Sequence, residues 1–284
     1  MIKKALFIML AFTSVSASAQ NLRKIEAEIT DEANAMYKSE WASWYGTDVF
    51  QEKCANIKGQ QGGYLSYDNG SGLINVFYSK EELPQVIATI NFGYGFDANK
   101  YFLDTLKREF NKQEKALYGM RKAAIDVMYS DTTFKYYQKS SLNPVPLIYK
   151  NTKKVYVLTG TNTSGVVLFG NDYQIDFDKN DKIKGISKLH NSLIPAYFKN
   201  NEIDSSKIQK AAMHNHIKGK SEFITVTDVC TLMLYSKFTT WQTYYVITDK
   251  YVSIWDCKKS GLVILTREAW DKISRDQKKK QTVN

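Results

Sequence analysis

Cysteine and histidine are scarce in this chain, three of each among 284 residues, and proline is hardly commoner at four. The cysteines, Cys54, Cys230 and Cys257, form no Cys-x-x-Cys pair and no regular spacing. That excludes a cysteine-based zinc site and a dithiol redox motif. An odd number leaves at least one thiol over. Cys230–Cys257 is the favoured pair, and three free buried thiols are the alternative. Long apolar runs are also missing. Beyond the first residues no stretch of about 18 apolar residues occurs, so no later segment is expected to span a membrane. A glycine-rich phosphate loop is absent too. Gly93-Tyr94-Gly95 has no third glycine and no lysine-serine after it, and reads as punctuation at a strand end. No internal repeat is found.

What is present begins with an export signal. Lys3 and Lys4 form a basic start, Ala5–Phe12 an apolar core too short to span a bilayer, and Ala17-Ser18-Ala19 a small-x-small cleavage site before Gln20. Residues 1–19 are thus expected to be removed, leaving an exported periplasmic or secreted protein with no transmembrane segment. The formal charge is +10, of which the leader carries two lysines and no acid. Basic charge favours anionic partners only when it is clustered. Here the lysines are spread among acids, and the one run, Lys278-Lys279-Lys280, lies in a polar tail, so no nucleic-acid partner is expected.

The mature chain reads as α+β with mostly antiparallel strands. Residues 20–130 form an N-terminal α+β region, 131–150 a linker holding Pro144 and Pro146, 151–275 a second α+β domain, and 276–284 a basic tail. Asp68-Asn69-Gly70-Ser71-Gly72 is a hairpin turn between Gly63–Tyr67 and Leu73–Tyr78. Asp97 is read as the N-cap of a long helix over about 98–129, with Phe102, Leu106, Phe110, Leu117, Met120, Ala124 and Met128 near helical spacing. Asp178-Lys179-Asn180-Asp181 joins two alternating strands. With Asp176 it resembles a calcium loop, but it lacks the glycine and the distal glutamate and reads as a plain turn. A helix is expected over Thr225–Thr239, then a hairpin of Tyr244–Thr248 and Tyr251–Trp255 and a last strand at Leu262–Leu265.

Met213–Leu234 carries the chemistry. His214 and His216 are two apart, so they share a face only if Met213–Ile217 is extended, with Asn215 turned away. Neutral imidazoles are good zinc ligands, and a carboxylate is a usual third. Asp228, early in the following helix, can fold back to supply it.

His-x-His, a short polar loop, then Thr225-x-x-Asp228 at the start of a helix followed by a strand pair, resembles the signature of JAMM/MPN-type (RadC-like) metalloproteases. The resemblance implies zinc on His214, His216 and Asp228, with a fourth position left for water. It also implies hydrolysis of a peptide or isopeptide bond in a protein or peptide substrate. It covers about a quarter of the chain directly, or Lys150–Thr266 if the preceding strands belong to the same domain. Three departures stand out. Asp228 follows His216 by twelve residues, one more than the family's usual spacing, and Thr225 stands where the family has serine. No glutamate occurs between Glu114 and Glu202, so the family's general base has no counterpart. Asp172 is the nearest carboxylate for that role, and Thr225 is read as orienting the site or donating to an oxyanion.

The same residues have plainer explanations. Thr225-x-x-Asp228 is also a capping box, and the two histidines fit an edge strand at the surface. His190 is read either as lining the same cleft or as a hydrogen-bonded structural histidine. Three functions therefore remain open: a zinc peptidase, a non-catalytic envelope protein that binds a protein or glycan through tyrosine and tryptophan, and, on the basic charge alone, an anion-binding protein.

Overall fold

The computed structural model describes residues 2–198 and 209–281, with side chains described for 20–198 and 209–280. The expected leader, residues 1–19, therefore lies outside the described side chains, and 282–284 of the expected tail lie outside the described residues. The described chain is α+β, with four α-helices and fourteen strands, mostly antiparallel. It forms two compact units, Ala33–Lys199 and the combination of Met1–Glu32 with Asn200–Asn284. Helix α1 (Ile2–Lys53) contributes residues to both.

In the Ala33–Lys199 unit, β1 (Gln61–Asp68), β2 (Leu73–Ser79), β3 (Val86–Phe92) and β4 (Tyr101–Asp104) form an antiparallel meander. The β1–β2 turn closes as its sequence implies. Asp68 Oδ1 accepts from the Gly70 N–H, Asn69 Oδ1 accepts from Ser71 and Gly72, and Gly70 takes a φ of 84° that a side chain would oppose. A second sheet, in the order β5-β6-β8-β9, is built from β5 (Ser140–Tyr149), β6 (Thr152–Thr161), β8 (Tyr173–Phe177) and β9 (Ile183–Lys188). Within the stretch expected as a linker, Ser140–Tyr149 is thus a full strand. Its prolines are tolerated because β5 is an edge, paired only with β6. A two-stranded ribbon joins β7 (Val166–Gly170) to β10 (Leu193–Tyr197).

Helix α2 (Lys112–Ser130) lays Leu117, Met120, Ala124 and Met128 into the core, against Val155, Val157, Tyr173 and Ile175 of the second sheet and Leu65 and Val76 of the first. The helix expected from Ala98 begins only at Lys112. Asp97 caps a turn at Asn99 instead, and Tyr101–Asp104 pairs with Thr89–Phe92. The apolar stripe misleads here because Phe102 and Leu106 are 69% and 75% exposed. The true start is marked by Asn111 and Glu114, which form a capping box.

The other unit holds one sheet, in the order β11-β12-β13-β14: β11 (Ala211–Asn215), β12 (Thr243–Ile247), β13 (Tyr251–Asp256) and β14 (Gly261–Thr266). The β12–β13–β14 part is an antiparallel meander, whereas β11 runs parallel to β12. A parallel neighbour needs a crossover, and α3 (Val226–Tyr235) is that crossover. Helix α3 is buried from Thr227 to Met233, with Val229, Cys230, Leu232 and Met233 as its apolar residues. The polar tail extends α4 (Arg267–Gln281). Cys230 is buried on α3 and Cys257 follows β13. Neither is in a disulfide, nor is Cys54, so the favoured Cys230–Cys257 pair is not joined. Burial, and then Asp256, push the Cys257 thiol up to about 11, which keeps it protonated and unreactive near neutrality. Among the described residues no helix is long and apolar enough to cross a membrane.

Candidate metal centre

Strand alternation sets the two histidines. On β11, Met213 and Asn215 are exposed while His214 is buried. His216, just past the last paired residue, keeps the same inward direction because its N–H still bonds to Ile247 O at 3.0 Å. The histidines thus share a face and Asn215 points away, as the extended reading requires. Both rings are almost fully buried, at 6% and 7% exposure.

The loop from Ile217 to Ile224 returns the chain to the sheet. The hydroxyl of Ser221 donates to Phe223 O and accepts from Phe223 N–H, and Ile224 N–H donates to the buried Ser253 hydroxyl on β13. Thr225 then caps α3. Its hydroxyl accepts from the Asp228 N–H at 3.1 Å and donates to Asp228 Oδ2 at 2.8 Å, while its N–H reaches the same oxygen at 3.0 Å. The capping box is therefore real. It also aims the Asp228 carboxylate at the histidines, so the plain explanation and the metal explanation of Asp228 are compatible.

The three groups converge. His214 Nε2 and His216 Nε2 are 3.0 Å apart, and Asp228 Oδ2 lies 3.8 Å from the first and 3.6 Å from the second. Ligands about 2.0–2.1 Å from a tetrahedral zinc ion lie about 3.4 Å from one another. The three observed separations bracket that value. Two imidazoles and one carboxylate form a zinc-type donor set, and this buried group can hold a metal ion. Each ring is also held from behind. His216 Nδ1 meets the carbonyl of Ser221 at 3.1 Å, and His214 Nδ1 meets the Tyr244 hydroxyl at 3.0 Å. Such outer contacts fix ring orientation at metal sites. Burial, with the Asp228 charge second, raises the Tyr244 pKa far above its ordinary value. Tyr244 therefore stays a neutral phenol. Beside His216 a cavity of about 220 Å³ is lined by Lys218, Ser221, Glu222, Thr248 and Lys250.

Thr225 is the group assigned to orient the site, and its hydroxyl proton is directed to Asp228. Asp172 and His190 belong to the Ala33–Lys199 unit. There Asp172 Oδ1 lies 2.5 Å from His190 Nδ1, with both side chains buried, so the carboxylate assigned as base is engaged with an imidazole. Beside them the Asn171 side chain ties Thr159, Tyr173 and the backbone of Lys135 together. The Asp172–His190 contact had no signal in sequence spacing, since the two are eighteen residues apart. Tyr244 and the Ser221 carbonyl were missed as well. A carbonyl has no sequence signature, and Tyr244 is one of nineteen tyrosines. Searches against protein-family models, curated proteins and solved structures find no match to this chain.

Proposed function

We propose that this chain binds a divalent transition-metal ion, zinc by its donor set, on His214, His216 and Asp228, and that it hydrolyses a peptide or isopeptide bond there. The observation that supports it is the convergence of two imidazole nitrogens and one carboxylate oxygen at 3.0–3.8 Å. Zinc in a three-ligand site supplies a Lewis acid and lowers the pKa of water. The chain's own part is orientation. Ser221 and Tyr244 hold the rings, Thr225 holds the Asp228 carboxylate, and the cavity beside His216 gives room for a substrate segment. Asp172 remains the proposed base, in company with His190.

The test is metal analysis of the full chain purified without a His tag, beside the His214→Ala/His216→Ala double variant. About one zinc per chain is expected in the parent and none in the variant at equal folding by circular dichroism. A parent without zinc would sink the reading. A second reading, a non-catalytic binding protein, is favoured by the missing glutamate and by exposed aromatics such as Phe102, Tyr129 and Tyr136. Zinc bound without turnover, or a hydrolysis rate unchanged by Asp172→Asn, would move the weight to it or remove Asp172 from the mechanism.

A further inference from the structure

Every open sheet ends in edge strands, and an edge strand offers a row of unpaired N–H and C=O groups that a further strand can take. Several edges of this chain are blunted. β5 carries Pro144 and Pro146, which have no N–H to give. On β14 the Ile264 N–H already donates to Glu26 Oε1 at 2.6 Å. β9, set antiparallel to a copy of itself about Ile186, would place Lys184 against Lys188. β4 lacks these defences. It pairs with β3 alone, it carries no proline, and Asp104 is its one charged residue.

Strand alternation puts Phe102 and Asp104 on one face, and both are exposed, Phe102 at 69%. Lys100 stands one residue ahead of the strand, with its ammonium 3.5 Å from Asp97. An ion pair that open to water is worth little and is readily exchanged for another. Antiparallel self-pairing about an axis through Phe102 sets Phe102 against itself and Lys100 against Asp104 on both sides of the axis. Aromatic pairs and opposite charges are the cross-strand contacts that stabilise a sheet. A register centred on Leu103 would set Phe102 against Asp104, and one centred on Tyr101 would set it against Lys100. Past the strand, Leu106 is also exposed. Lys107 Nζ lies 4.0 Å from Glu81 Oε1, which brings the exposed Leu83 of the β2–β3 turn to the same end of the sheet. Such clustered exposed apolar side chains mark contact surfaces. We infer that β4 docks a second copy of this chain, antiparallel about Phe102 with Lys100 against Asp104, so that two four-stranded sheets become continuous. A four-residue strand covers little area, and an interface below about 1,200 Å² belongs to the weak class.

The experiment is sedimentation velocity on the full chain from about 5 to 500 μM, beside Lys100→Asp, Asp104→Lys and the double exchange that carries both. The parent is expected to show a weak monomer–dimer equilibrium. Each single exchange sets like charges against each other on both sides of the axis, and the Kd is expected to weaken about 10-fold. The double exchange restores opposite charges in reversed order and is expected to return the Kd to within about 3-fold of the parent. That recovery separates the contact from a structural role of Asp104, whose Oδ1 also accepts from the Leu106 N–H, a bond that lysine cannot replace. If Asp104→Lys does not fold, Lys100→Asp decides, since it lies outside the strand with its side chain exposed. A parent that is monomeric throughout would overturn the inference. So would a dimer unmoved by Lys100→Asp, or a folded double exchange that stays as weak as the single ones.

Discussion

Glu40 shows how a single side chain couples this fold to pH. It lies on the part of α1 that belongs to the Ala33–Lys199 unit, where it accepts from the Asn143 amide at 2.8 Å. Burial pushes its carboxyl up from the ordinary 4.5 to about 7, against the opposing pull of Arg121 and Asn143. A carboxyl raised in this way binds its proton more tightly in the folded state. Its contribution is complete below about 4.5 and is lost as pH rises through 7. Glu40→Gln should therefore match the parent at pH 4 and exceed it at pH 8 by on the order of 1–2 kcal/mol in urea unfolding. At this scale the sequence was informative where one residue type carries the chemistry. His214, His216 and Asp228 were identifiable because their spacing had meaning on a strand followed by a helix. The Ser221 carbonyl was not, because any residue there presents the same group.

At the scale of elements, α2 shows where pattern reading fails. The apolar positions from Phe102 to Met128 fall near helical spacing in sequence, yet the helix begins only at Lys112. Periodicity records which residues are apolar and not which are buried. Asn111 and Glu114 override it with a defined cap. Glu114 is also the hub of a buried cluster. It accepts from Arg108 at 2.6 and 2.7 Å, from the Tyr67 hydroxyl at 2.8 Å and from the Asn111 N–H at 2.9 Å. Burial alone would raise its pKa, but these donors outweigh burial and lower it. Glu114→Ala should cost about 3 kcal/mol in chemical denaturation, since it removes the carboxylate half of the capping box and leaves Arg108 without its partner. The neighbouring exposed Glu109→Ala should stay within about 0.5 kcal/mol. The hairpins, by contrast, were legible in sequence, because Asp-Asn-Gly and Asp-Lys turns between alternating strands leave the backbone few options.

For the whole molecule, the α+β class followed from many short strands and few helices, whereas strand order did not. Nothing in Ala211–Asn215 announces a parallel partner some thirty residues later. Export is read from residues 1–19 alone, so it predicts a mature protein that begins at Gln20, checked by N-terminal sequencing of the exported product; a retained Met1 would remove the signal reading. The crossover through α3 has a further consequence. His214 and Asp228 bracket the segment that leaves β11 and enters the helix. An ion shared between them would act on the unfolded chain as a cross-link closing a loop of about 15 residues. A disulfide closing a loop of that size restricts the unfolded ensemble by about 3 kcal/mol. In a chain whose three thiols are all unjoined, that clasp would take the place of the disulfide that the cysteines do not make.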